Sequence, residues 1–314
     1  MITLQSARKY EELLSGEVEA SPYDYATLFK ADGYLARQRA KARFKLLKVL
    51  DAKLRRVLRP DERVYFVTSG STMSVSEHFF VGWLAYYLNM RALVFTTDRV
   101  LLLQINGGKK KVRHLVAQIP NTALASVKST WSGSCRIKLM DKRELNFVYV
   151  PRGDRKFLAE FLSGIVQGTA APFTTQQPHG VDNLCPHCFV HVPGFPLACP
   201  KCTGRFKSAK KAALLSLAFP GLGHWYLGDR GFAVFETLGG GFFWLSLVIG
   251  PLLPSPDPTQ PRPDAGYWIT AAILIGLMHS IDAVMTHHFA RKGHHPDGKA
   301  PEPAGLPPVI APAK

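Results

Sequence analysis

The sequence predicts a multidomain chain: an α+β domain built on a β barrel or bent sheet with a C-terminal helix, then a small cysteine module, then an α-helical membrane segment. Three observations predict it. Seven runs of strand length lie between Arg63 and Val150, and one amphipathic stretch follows them. Four of the five cysteines form two CxxC pairs separated by ten residues. Beyond Lys211 the chain turns apolar for most of its remaining length.

Charge sharpens the division. The chain has 314 residues and a formal net charge of +16. Between Arg37 and Arg59 ten Lys or Arg stand against one acid, Asp51. Such a field suits an anionic partner, either a membrane surface or nucleic acid. Met1–Ala20 has no apolar core of the signal-peptide kind, so no cleaved leader is expected. Cysteines grouped as CxxC pairs suit a reducing compartment better than a disulfide framework.

Within residues 1–59, the stretch 34–58 reads as a basic amphipathic helix. Leu35, Phe44, Leu47, Leu50, Leu54, Val57 and Leu58 recur near helical spacing, and Arg59-Pro60-Asp61 ends it. Its cations either form a solvated face or lie on lipid headgroups. The strands expected next are Arg63–Ser69, Arg91–Thr97, Val100–Asn106, Val112–Gln118, Ala123–Lys128, Arg136–Asp141 and Arg143–Val150, separated by Gly107-Gly108, Ser132-Gly133 and Asp141-Lys142. Asp154–Val166 carries Phe157, Leu158, Phe161, Leu162 and Ile165 at helical spacing. Phe79–Leu88 is too short to span a bilayer. Its Trp83, Tyr86 and Tyr87 suit a core element or an interfacial loop.

Residues 60–168 resemble the bacterial pleckstrin-homology-like (GRAM-like) domains. Glu62–Val67, the ALVFTTDRVLLL segment from Ala92, the Lys109-Lys110-Lys111 turn, the IPNTALASV stretch from Ile119 and the closing helix carry the resemblance. It implies a PH-like module that binds lipid or protein, not an enzyme, and carries over no invariant site. Lys109, Lys110, Lys111 and Arg113 are candidate phosphate-binding residues, although a solvated charge run explains them equally well.

Residues 169–182 are small, polar and Pro-containing, as in a linker. In 183–206, Cys185, Cys188, Cys199 and Cys202 have the spacing of two knuckles that place four thiolates around one ion. Structural Zn2+ with no open position fits best. Iron would accept the same ligands, but nothing nearby suggests electron transfer. The Cys-Pro-x-Cys form of both knuckles resembles the zinc-ribbon family. His187 and His191 are expected to be bystanders.

Residues 207–292 hold three apolar stretches. Phe232–Leu253 and Tyr267–Met285 are long enough to span. Ala212–Leu227 is cut by Pro220-Gly221 into two short pieces. Lys207, Lys210 and Lys211 precede the segment and Arg291, Lys292 and Lys299 follow it, so both ends are expected on the cytoplasmic side. Pro220–Gly228, Gly231 and Asp282 resemble the two-transmembrane hairpin family, with a Pro-rich insertion that the compact hairpin lacks. Ionisable residues in such a setting default to functional candidates: His224, Glu236, His279 and Asp282. For Asp282 the expected partner is Arg230 or a helix N-terminus. His287, His288, His294 and His295 have no demanding metal spacing. Residues 293–314 read as disordered.

The composite expectation is a non-enzymatic, membrane-anchored binding or scaffold protein of the bacterial inner membrane. Its partners would be anionic inner-leaflet lipids or a protein, with homo-oligomers possible through the membrane tail. A channel or transport accessory is the alternative. Nucleic-acid binding ranks below both, because the tail restricts such encounters. Nucleophile elbows, phosphate loops and open metal sites are not found in the sequence.

Overall fold

A computed structural model describes residues 22–30, 35–72, 84–130, 134–168, 180–253 and 263–298, together with Tyr10, Glu12 and Glu77. Residues 79–83 of the Phe79–Leu88 stretch, Trp83 among them, residues 169–179 of the expected linker, and the Pro-rich stretch 254–262 lie outside the described residues.

The chain is α+β, with one open eight-stranded antiparallel sheet and a set of C-terminal helices. The strands are β1 Val64–Thr72, β2 Met90–Thr96, β3 Arg99–Ile105, β4 Val112–Pro120, β5 Leu124–Ser129, β6 Cys135–Leu139, β7 Glu144–Val148 and β8 Asp182–Leu184. Their order is β5-β6-β7-β1-β2-β3-β4-β8. β1 links the two halves: it pairs along its length with β2, while only its end, Ser71 and Thr72, pairs with β7.

β2 and β3 read as unbroken apolar runs because both faces of the sheet are covered. Met90, Ala92 and Val94 pack in one core with Leu101, Leu103 and Ile105. Leu93 and Phe95 pack in the other with Val100 and Leu102. The period of two is intact; each parity simply has its own core. The first core is closed by α1 (Tyr25–Leu28) and α2 (Ala36–Val57), the second by α4 (Arg152–Gly168). The five-residue α3 (Leu84–Leu88) precedes β2.

α2 buries Ala40, Leu46, Leu47, Leu50, Leu54 and Val57. Leu35, counted with that face in the sequence, precedes the helix and is exposed. Arg43 also lies on the buried face. Its guanidinium reaches Asp154 of α4 at 2.5 Å, donates to the carbonyl of Lys30 at 2.6 Å and sits 4.2 Å over the Phe66 ring. Thr68 of β1 donates to the same carboxylate at 2.7 Å. A second buried pair, Arg99 and Glu62, is bidentate, both contacts at 2.8 Å. Cys135 is buried in the second core, where burial pushes its thiol up to about 11. It is an inert packing residue.

Two sequence boundaries move. The expected linker ends inside β8, whose residues Asp182–Leu184 extend the sheet by pairing with Val116–Gln118 of β4. Residues 293–298, at the head of the stretch expected to be disordered, are an ordered strap. The Lys207 amide donates to the His295 carbonyl and the Asp297 amide to the Arg205 carbonyl, both at 2.9 Å. Backbone pairing of this kind leaves no side-chain periodicity to read.

The remaining helices are α5 Ala209–Ala218, α6 Leu222–Leu227, α7 Arg230–Trp244 and α8 Ala265–Ala290. α7 continues through a π turn and a 3-10 turn to Leu252. The expected break at Pro220-Gly221 separates α5 from α6. Two helical spans, Arg230–Leu252 and Ala265–Ala290, are long and apolar enough to cross a membrane.

Candidate functional site

The cysteine module is organised by its two knuckles. Each CxxC closes with an amide bonding back to the first cysteine: Phe189 to the Cys185 carbonyl and Thr203 to the Cys199 carbonyl, both at 3.0 Å. Phe189 and Thr203 therefore adopt positive φ, 59° and 57°, directly after the second cysteine of each knuckle. The four sulfurs lie within 4.8 Å of one another, with Cys185–Cys202 at 3.7 Å and Cys188–Cys199 at 3.6 Å. These separations exceed an S–S bond and fit four ligands around one ion. Burial raises the Cys185 thiol. At Cys199 burial acts in the same direction, but the backbone N–H groups of Cys202 and Lys201 outweigh it and bring the thiol down to about 7. Four cysteines in this arrangement could hold a metal ion. His187 and His191 are not part of the cluster.

The module does not hang free. β8 joins it to the sheet, Leu184 enters the first core, and Lys53 and Arg56 of α2 sit 5.9 and 5.4 Å over the Phe189 ring. The helices attach to the same region. Arg113 at the start of β4 pairs with Asp229, directly before α7. Lys292, just after α8, pairs with the buried Glu77 and donates to Asn89 at 2.6 Å. Burial lowers Lys292 to about 8 despite that carboxylate.

Among the lysine-turn candidates, Lys110 and Lys111 are exposed and Lys109 is half-buried. Asn106 builds the turn, its side chain accepting from the amides of Lys110 at 2.8 Å and Lys111 at 2.9 Å. Arg113 is not free for a phosphate; it is the clamp on Asp229. The exposed cations of α2 form a stripe instead: Arg37, Lys41, Lys45, Lys48, Arg55 and Arg56. Their i, i+4 and i+7 spacing places them along one side. The stripe ends beside the helix attachment, where Lys53 donates to the Arg113 carbonyl at 2.9 Å.

Pattern reasoning in the sequence missed a cleft of about 460 Å³ between the cysteine module and the helices. Lys207, Lys210, His287, Arg291 and the half-exposed Phe195 line it. The clustering of basic residues at both flanks of the apolar segment was its only trace in the sequence.

The four polar candidates of the helical segment separate into two groups. His279 is fully partnered: its Nδ1 lies 2.7 Å from the Leu217 carbonyl, and Trp244 donates to its Nε2 at 3.1 Å. That pairing requires a neutral ring with the proton on Nδ1. His224 of α6, Glu236 of α7 and Asp282 of α8 converge, their ligand atoms within 4.8 Å of one another. Asp282 accepts from the Gly221 amide at 3.1 Å, the helix N-terminal partner expected for it, and from Thr286 at 3.3 Å.

Close backbone approach makes this convergence possible. A Cβ on Gly223 would lie 2.4 Å from the Ala212 carbonyl oxygen and 2.6 Å from Thr286. Gly221, at φ +86°, stands equally close to α7. The glycines of the Pro-Gly-Leu-Gly turn are thus required by helix contact.

In comparison with known proteins, the chain matches no protein-family model and no curated protein.

Proposed function

We propose that this protein is a non-enzymatic, membrane-anchored binding protein that reads anionic lipid headgroups at the surface to which its helices attach it. One observation carries the reading. The Arg113–Asp229 clamp and the Lys53–Arg113 hydrogen bond set the C-terminal end of α2, where its cationic stripe ends, beside the start of the first apolar helix, and the Lys207/Arg291 cleft lies at the end of the second. Cations in that position gain about 1 kcal/mol each near an anionic leaflet.

The helices suit lipid. Leu238, Phe242, Ile273 and Val284 are each more than 60 % exposed. An apolar surface of that extent needs cover. Basic residues at both flanks favour the cytoplasmic side of an inner membrane for the sheet and the C-terminus. The strand order β5-β6-β7-β1-β2-β3-β4 with one closing helix supports a pleckstrin-homology-like domain, to which β8 adds an edge. The paired knuckles support a zinc ribbon: a closed tetrathiolate selects a soft or borderline ion, and Zn2+ adds no redox chemistry. Zinc would serve as structure, fixing β8 and the wall of the cleft. The α5–α8 set supports the two-transmembrane hairpin reading.

The test is hydrogen exchange on the full chain in nanodiscs, anionic against neutral, across a salt series. Protection of α2 and of residues 205–211 that appears only with anionic lipid and fades with salt is expected. Replacing Lys41, Lys45 and Lys48 by Gln should remove the α2 protection. Equal exchange in both lipids would sink headgroup reading and direct the search to a protein partner.

A further inference from the structure

We infer that His224, Glu236 and Asp282 form a second metal site, inside the helical segment, for a divalent ion of the Zn2+, Mn2+ or Fe2+ class. The inference rests on helix packing alone and holds or fails independently of lipid binding.

Each ligand comes from a different helix, and the hydrogen bonds of the fold account for Asp282 but not for His224 or Glu236. His224 is 0 % exposed, yet neither ring nitrogen has a hydrogen-bond partner. Glu236 Oε2 is likewise buried without one. Leaving such atoms unsatisfied costs about 1–3 kcal/mol each. Among the described residues no Lys or Arg forms an ion pair with Glu236 or Asp282. Two carboxyl groups therefore converge in a buried setting with no Lys or Arg between them. A divalent ion satisfies His224 Nε2 and Glu236 Oε2 at once and balances two carboxylates.

The geometry is within reach of coordination. His224 Nε2 and Glu236 Oε2 are 3.8 Å apart. Ligands about 2.0–2.2 Å from a common ion stand roughly 3–3.5 Å apart, so a small side-chain adjustment closes the site. The outer partners are also present. Gly221 and Thr286 hold the Asp282 carboxylate. Asp229 Oδ2 lies 3.8 Å from His224 Nδ1, so the same small ring adjustment would bring a carboxylate behind the ligating histidine. Arg113 in turn holds Asp229, so the site is tied to the sheet. One nitrogen and two oxygens suit borderline ions, in contrast to the all-thiolate cluster at Cys185–Cys202.

The competing occupant is a proton shared between the two carboxyls. The experiment uses the full chain in detergent with its cysteine site loaded. Bound Mn2+ is read by electron paramagnetic resonance, and Zn2+ by elemental count. Uptake of an ion beyond the one held by the cysteines is expected. Glu236→Gln and His224→Gln should abolish that uptake, Cys199→Ser should retain it, and Asp229→Asn should weaken it about 10–100-fold. Metal-free Glu236→Gln should melt no lower than the metal-free parent, because it replaces a buried carboxyl group whose Oε2 has no hydrogen-bond partner; this separates ligand loss from misfolding. Failure of the parent to take up either ion beyond the cysteine site overturns the inference in favour of the shared proton. Equal uptake by parent and Glu236→Gln also overturns it.

Discussion

Removing Asp154 should do more damage than any surface change on this chain. Its carboxylate faces Arg43 with side-chain exposures of 4 % and 5 %. Breaking a buried pair by deleting one partner costs about 3–5 kcal/mol, since the survivor stays charged and buried. Arg43 keeps two backbone acceptors, Leu28 at 3.2 Å and Lys30 at 2.6 Å, and the Phe66 face. Those contacts place Asp154→Ala at the lower end, about 3 kcal/mol. Thr68 loses its acceptor in the same change. Amide exchange of β1–β3 in the solubilised full chain reads this directly, and about 3 kcal/mol corresponds to roughly 100-fold faster exchange through global opening. The double variant Arg43→Met/Asp154→Ala should recover most of the loss, because it removes the orphaned charge and keeps an apolar stem on Phe66. An Asp154→Ala effect under about 1 kcal/mol, or a double variant weaker than the single, would refute the reasoning.

Gly223→Ala should loosen the α5–α6–α8 crossing by about 1–3 kcal/mol, seen as a lower melting temperature with an unchanged sheet signal. With the cysteine cluster as a metal site, a chelator should release the Cys185 and Val192 amides to exchange, together with the β8 pairing, while β2 and β3 stay protected. Acid should weaken attachment of the strap through His295. Burial holds this ring down to about 4 from 6.5; Arg91 and Lys207 act in the same direction and Asp229 opposes. Its contribution is therefore complete above pH 6.5 and falls, by up to about 3 kcal/mol, as pH drops towards 4. His295→Gln should flatten that part of the stability profile; an unchanged profile would mean that the ring does not carry it.

Local chemistry was legible without coordinates. Short runs of strand length, several of them alternating, placed β1–β7 within a few residues, helical spacing placed α2 and α4, and Pro220-Gly221 marked the break between α5 and α6. The CxxC spacing alone picked out the four sulfurs that cluster. Each of these signals is written into neighbouring residues, where geometry follows from the chain's own repeat.

What sequence could not decide depends on partners far along the chain. His224 and His279 look alike as isolated histidines beside apolar stretches. Only packing shows one satisfied by Leu217 and Trp244 and the other left open beside Glu236 and Asp282. Arg113 reads as part of a basic turn until Asp229 is found against it. β8 and the 293–298 strap are held by backbone amides, which every residue possesses and no side-chain pattern announces. Spacing along the chain sets β1–β7, α2, α4 and the cysteine cluster, because each is a local repeat. Which charges meet is set by how those elements pack, because the partners lie far apart along the chain.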